Sequence, residues 1–129
     1  MTSQRLPIEA ETFLAARIGD DLRTAITNRS EELGDRMIGE ALAKNALLTL
    51  YRQARKETDE ARLKADNRVT IDSLTIAVAV GERENALRTA LCVLLDIYHQ
   101  HPEFDRDWIE PLLPLLPARR AWISGIPGN

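Results

Sequence analysis

The sequence contains little cysteine, little proline over most of its length and few aromatic residues. Its single cysteine cannot close an intramolecular disulfide, so we expect the chain to function in a reducing compartment. Only Pro7 precedes Pro102, which leaves about ninety residues in which no proline prevents an α-helix. The first hundred residues are therefore open to long helices.

Long hydrophobic runs are also missing. The most apolar stretch, residues 91–98, is interrupted by Asp96 and is far shorter than the roughly 20 residues that a helix needs to cross a bilayer. Residues 1–13 contain no apolar run of the kind found in signal peptides. We therefore expect a cytoplasmic location without membrane attachment.

The composition predicts one folded domain. The chain has 129 residues, of which 44% are hydrophobic and 29% are charged, so it has enough apolar surface for one core. We predict a single helical domain over residues 1–129, with flexible tails at residues 1–7 and 123–129. The 17 Lys and Arg residues against 20 Asp and Glu residues give a net charge of −3, which disfavours a surface broadly suited to nucleic acid.

Apolar residues recur at helical spacing in the first half of the chain. Leu14, Ile18 and Leu22 share one helix face, which predicts a helix over residues 8–29. A second helix is predicted over residues 33–66, where the apolar positions follow alternating steps of four and three. This seam is rich in alanine and so predicts the close approach of another helix. Its members are Leu47, Tyr51, Ala54, Thr58, Ala61 and Ala65.

Residues 68–80 are open to two interpretations. Their β-branched residues alternate with smaller ones, which is typical of a strand. No other segment could pair with that strand, however, and Thr70 and Ser73 are good helix N-caps. We therefore predict a third helix over residues 73–100, with a possible kink at Gly81 and with its second half as the most buried element.

Prolines divide the C-terminal segment. Pro102 ends the third helix, and Asp105 or Asp107 is expected to cap a short helical turn. The predicted fold is all-α: an antiparallel bundle of three long helices and a short proline-punctuated C-terminal helical segment, with dimerisation as one way to complete the bundle. The apolar residues of the last segment are expected to cover one end of the bundle or to contact a partner chain. These residues are Trp108, Leu112, Leu113, Leu116 and Trp122.

No motif predicts catalysis, a metal or a cofactor. A glycine-rich phosphate loop, a nucleophile elbow and a zinc-protease motif are all missing. His99 shares a helix face with Asp96, but a metal site needs ligands from further helices, and a position at the end of a helix explains His99 and His101 better. Cys92 lies two helical turns from His99, too far for the hydrogen bond that activates a thiol. We therefore expect no enzyme activity.

Residues 73–90 have the spacing of small residues and glycine found in helix-turn-helix motifs. Arg83, Asn85 and Arg88 would then face DNA. Two glutamates in the same turn would face phosphates, which disfavours nucleic acid as a partner. Because the spacing fits but the charge does not, a DNA-binding transcriptional regulator is the alternative prediction and not the leading one.

The leading prediction is a non-enzymatic interaction protein: an adaptor, regulator or inhibitor that binds a protein partner through a helix-bundle surface and forms a homodimer. It follows from the missing catalytic motifs, the alanine seam and the surplus of apolar residues near the C-terminus. The predicted interface consists of Leu47, Tyr51, Ala54, Ala61, Trp108, Leu112, Leu113, Leu116 and Trp122.

Overall fold

The computed structural model describes residues 5–27 and 31–109, and it confirms the all-α prediction. The elements are α1 (Ile8–Thr27), α2 (Glu31–Asn67), α3 (Ile71–Ile97) and a 3₁₀ turn (Arg106–Trp108). These residues contain no β-strand. The predicted tail at 123–129 and the prolines after residue 110 lie outside the described residues.

Proline and acidic residues explain where α1 begins. The carbonyl oxygen of Pro7 accepts hydrogen bonds from the backbone N–H groups of Ala10 and Glu11. Glu9 and Glu11 lie in the first turn, where the helix dipole favours negative charge. Leu6 was predicted to lie in a flexible N-terminal tail, but its side chain is buried against the core.

A capping box begins α3 at Ile71, two residues before the predicted start. The Thr70 hydroxyl accepts from the Ser73 N–H, and the Ser73 hydroxyl accepts from the Thr70 N–H. Residues 68–80 are helical from residue 71 onward, so the strand interpretation is wrong. The helix passes through Gly81 without interruption.

The end of α3 also differs slightly from the prediction. The helix ends at Ile97 rather than at residue 100, and the Tyr98 N–H donates back to the Leu95 carbonyl. The Asp105 side chain accepts from the Asp107 N–H and caps the 3₁₀ turn, as expected from the sequence.

Polar contacts between the helices show how they are arranged. Glu11 of α1 pairs with Arg52 of α2, and Asp21 of α1 lies beside Lys44, so these two helices are antiparallel. Tyr98, just after α3, receives a hydrogen bond from Lys44, and the Thr58 hydroxyl lies 3.2 Å from the Val80 carbonyl oxygen, so α3 is antiparallel to α2 as well. The core between the helices contains Leu6, Ala10, Phe13, Leu14, Ile18, Leu48, Tyr51, Leu91, Cys92, Leu95 and Ile109.

The α2–α3 hairpin is longer than α1. Arg5, just before α1, lies level with Asp59 of α2 and Glu84 of α3, to both of which it is ion-paired. Residues 60–83 therefore continue beyond the start of α1, over roughly 20 Å of helix at 1.5 Å per residue. We call residues 60–83 the hairpin extension.

Candidate interaction surface

The groups most suited to chemistry are engaged within the fold. Cys92 is buried in the core, and this burial raises the pKa of its thiol to about 11, with the Arg88 charge opposing the shift. A thiol with a raised pKa is protonated near neutral pH and is a poor nucleophile.

Both histidines make local hydrogen bonds. His99 Nδ1 lies 2.8 Å from the Asp96 carbonyl oxygen, one turn back along the chain. His101 Nε2 hydrogen-bonds with the Arg17 guanidinium, and its Nδ1 faces the Glu103 N–H at 3.1 Å. Across residues 5–27 and 31–109, no group of three or more His, Cys, Asp or Glu side chains is placed to hold a metal ion.

Two buried carboxylates were not predicted from the sequence. Glu11 accepts from Arg52 at 3.0 Å and from Arg55, and Glu84 accepts from Arg5 Nε at 2.7 Å. Each carboxylate is held by a guanidinium from another part of the chain, so it fastens α1 to the hairpin. Nothing in the sequence shows these pairings, because their partners are at least 41 residues apart.

The alanine seam of α2 is used inside the chain. Tyr51, Ala54 and Ala61 are buried, and Leu47 is half-buried against the core, with Leu48 taking the inward position. These residues are therefore covered by the chain's own helices in this structure.

Small residues in the seam let α3 come close. The Thr58 hydroxyl lies 2.9 Å from the Ala54 carbonyl oxygen of its own helix and 3.2 Å from the Val80 carbonyl oxygen of α3. Such a contact between a side chain and the backbone of a neighbouring helix needs small side chains at the crossing. The helix that the seam was predicted to admit is thus α3.

Trp108 belongs to an aromatic cluster on α1. Its ring centroid lies 5.1 Å from that of Phe13 and 5.8 Å from that of Phe104. A shallow, mainly apolar depression of about 370 Å³ lies beside it, between Ile8 and Ala16 of α1. Four other residues of the predicted interface lie outside the described residues: Leu112, Leu113, Leu116 and Trp122.

The residues of the DNA-binding alternative lie on one continuous helix. A helix-turn-helix needs a turn between its two helices, and α3 has none across residues 73–90. Arg83 is ion-paired with Glu57 of α2 at 3.2 Å, Asn85 is exposed and Arg88 is half-buried.

Among the described residues, the most prominent exposed apolar feature is on the hairpin extension. Ile71, Leu74 and Val78, which we call the α3 outer stripe, are 84%, 48% and 60% exposed. Their spacing of three and four residues places them on one helix face. Residues 73–81 carry no charge. The stripe borders a depression of about 440 Å³ lined by Leu74, Thr75, Val78, Ala79 and Glu82.

The side chains of α3 that face α2 are no larger than those of the stripe. Ser73, Ala77 and Val80 are half-buried, and the Val80 carbonyl receives the contact from Thr58. In this half of α3, the larger apolar residues thus point away from the hairpin partner. The sequence showed that this half of the helix is rich in apolar residues, but it did not show which of its faces would lack a neighbour.

Within residues 5–27 and 31–109, no helix has both the length and the apolar character required to span a membrane. Comparison of the chain with protein-family models, with curated proteins and with solved structures finds no match in any of the three. The α3 outer stripe is accordingly interpreted from its own geometry and chemistry.

Proposed function

We propose that this chain is a non-enzymatic helical interaction protein, an adaptor, regulator or inhibitor that binds a helix of a protein partner through the α3 outer stripe. The observation that carries the proposal is the exposure of Ile71, Leu74 and Val78 on one face of α3, where Asp72 is the one charged residue between positions 71 and 81. A partner helix of complementary apolar spacing fits such a stripe.

The physical basis is the cost of leaving this surface in water. Each exposed aliphatic side chain of this size offers on the order of 100 Å² of apolar surface, whose burial contributes about 25 cal/mol per Å². Contiguous patches of several hundred Å² on a small protein commonly mark interaction sites. Val69, Ile76 and Leu63 add further exposed apolar surface at the same end of the hairpin.

The state of the reactive groups supports a role without catalysis. The Cys92 thiol is buried and has a raised pKa, and the Glu11 and Glu84 carboxylates are paired with arginines. Groups that are held in this way stabilise the bundle and are poorly placed to act on a substrate.

Site-specific photocrosslinking tests the proposal. A benzophenone amino acid replaces Val78, and in a matched control it replaces Leu50, an apolar residue of α2 that is 53% exposed. In cells that express the chain, position 78 is expected to yield a discrete adduct, mapped by mass spectrometry to an apolar face of a helix. Equal yields from both positions, or attachment outside any helix, would contradict the proposal.

A further inference from the structure

We infer that residues 111–117 of this chain bind to its own α1, in the apolar depression beside Trp108. We call this depression the α1 groove. Its lining consists of Ile8, Glu9, Thr12, Phe13, Ala16, Glu103 and Trp108. The inference goes beyond the proposed function, because it concerns a different helix and an occupant that the chain itself supplies.

The first support is the place where the described chain ends. Ile109 is buried in the core, and Trp108 before it lines the α1 groove. Residues 110–129 therefore start next to the groove, and only Glu110 separates Ile109 from Pro111. A segment tethered this closely has an effective concentration on the order of millimolar, so weak contacts are enough to keep it bound.

The second support is the proline spacing of the segment. A proline recurs at every third position through residues 111–117, with a pair of leucines between successive prolines. Three residues is the repeat of a polyproline II helix, so the prolines would share one edge and the leucines the other two. Four steps of that helix cover about 12 Å, and the α1 backbone from Ile8 to Ala16 also covers about 12 Å. The segment is therefore long enough to cover the groove.

The third support is the aromatic surface of the groove. Proline-rich segments in the polyproline II conformation bind grooves that are lined by aromatic side chains. The rings of Phe13 and Trp108, whose centroids are 5.1 Å apart, supply such a lining, and the exposed side chain of Ile8 extends it. Contact with the leucines would remove apolar surface from water on both sides, at about 25 cal/mol per Å².

The fourth support is charge complementarity. Glu9 and Glu103, the two charged residues that line the α1 groove, are both exposed and both acidic. Arg119 and Arg120 are the only charged side chains after residue 110, and they follow directly on the proline-spaced segment and Ala118. Opposite charges at the two partners favour the bound arrangement over one in which the segment points into solvent.

Nuclear Overhauser effects in the full chain test the inference. The leucine methyl groups of residues 111–117 are expected to show effects to ring protons of Phe13 and Trp108. Thr12→Lys places a charged side chain in the groove and is expected to abolish them. Thr24→Lys is the matched control, because it makes the same change at an exposed position of α1 outside the groove, and it should preserve them. Circular dichroism confirms that both variants fold.

Fluorescence tests the same contact from the side of the segment. Trp122→Phe leaves Trp108 as the only tryptophan. In that background, Leu112→Ser with Leu113→Ser is expected to shift the Trp108 emission to longer wavelength and to increase its quenching by acrylamide. The same double substitution at the two isoleucines of residues 123–126 is the control and should change neither quantity.

Each outcome of these experiments decides the inference. Absence of the methyl–ring effects in the wild type overturns it, as does their survival in Thr12→Lys or an unaltered Trp108 emission in the leucine variant. Effects that arise only between a labelled and an unlabelled chain also overturn it, because the segment of a second copy would then fill the groove. Effects within one chain that Thr12→Lys removes and Thr24→Lys retains support it.

Discussion

The guanidinium of Arg5 lies across the buried carboxylate of Glu84, with 2.7 Å between Nε and Oε2 and 3.2 Å between Nη2 and Oε1. This two-point contact joins the segment just before α1 to the middle of α3. The hydrogen bonds to Glu84 and Asp59 raise the pKa of Arg5 above its usual range. The pair fixes where α1 begins along the hairpin and therefore how much of α3 remains uncovered.

Replacement of Arg5 by alanine should destabilise the bundle. The Glu84 carboxylate would remain buried without its cation, and we expect a loss of about 2 kcal/mol in the free energy of unfolding, below the usual cost of breaking a buried pair because Arg5 is partly exposed. Urea titration followed by circular dichroism measures this loss.

Two further variants serve as controls for Arg5→Ala. Arg23→Ala removes an exposed guanidinium paired with Asp20 and should change stability by less than about 0.5 kcal/mol. Arg5→Ala with Glu84→Gln should recover part of the lost stability, because the buried charge is then absent. Equal losses in Arg5→Ala and Arg23→Ala would contradict a structural role for the Arg5–Glu84 pair.

Stability should fall at alkaline pH. Burial raises the pKa of Cys92 to about 11, and it also raises the pKa values of Tyr51 and Tyr98. Each group is neutral when protonated, and the unfolded chain loses these protons first as the pH rises. The stabilisation is therefore complete below about pH 8.5, the ordinary range of a free thiol, and declines as the pH approaches 11.

Urea midpoints at pH 8, pH 9.5 and pH 11 measure this decline. The Cys92 contribution should be on the order of 2 kcal/mol across that range. Cys92→Ala should be less stable at pH 8 because it leaves a small cavity, but its stability should depend less steeply on pH. If the stability of both proteins changed with pH in the same way, the pKa of Cys92 would be the same in the folded and unfolded chains, which would contradict the prediction.

Replacement of Gly39 by alanine should stabilise α2. A Cβ atom built there meets nothing within 4 Å, and glycine in a helix interior is less favourable than alanine by about 0.8–1.0 kcal/mol. Gly81→Ala, with the same open surroundings in α3, should give a gain of similar size. Thermal unfolding measures both. A loss of stability in Gly81→Ala would indicate that α3 bends at this residue.

Removal of the capping box should loosen the turn between α2 and α3. Thr70→Ala leaves the Ser73 N–H without its acceptor and should cost about 1 kcal/mol. Hydrogen exchange of residues 71–75 should become faster, while that of the core half of α3 should change little. Thr24→Ala, at an exposed position inside α1, is the control and should leave the exchange at the turn unaltered.

Local sequence signals predicted the helices well, because their causes are local. Pro7 begins α1, Thr70 and Ser73 begin α3, and Asp105 caps the 3₁₀ turn, each through bonds to backbone groups a few residues away. The strand interpretation of residues 68–80 failed because a β-branched stretch needs a neighbouring strand, whereas the capping box needs only its own turn.

The candidate surface could not be predicted in the same way. The alanine seam around Ala54 and Ala61 was predicted to contact a partner chain, but these residues are buried within the chain itself, where the seam packs on α3. The spacing of a seam does not specify whether the neighbouring helix belongs to the same chain or to another. The apolar character of residues 71–81 was visible, but their exposure depends on where α1 begins along the hairpin.

The sequence alone thus determined that the chain forms long antiparallel helices, because helix periodicity, proline placement and capping residues act over a few residues at a time. Only the tertiary structure decided which apolar faces are covered. That outcome depends on long-range contacts such as Arg5 with Glu84 and Thr58 with Val80, whose partners are 79 and 22 residues apart. The length of α1 against the longer hairpin leaves Ile71, Leu74 and Val78 in water.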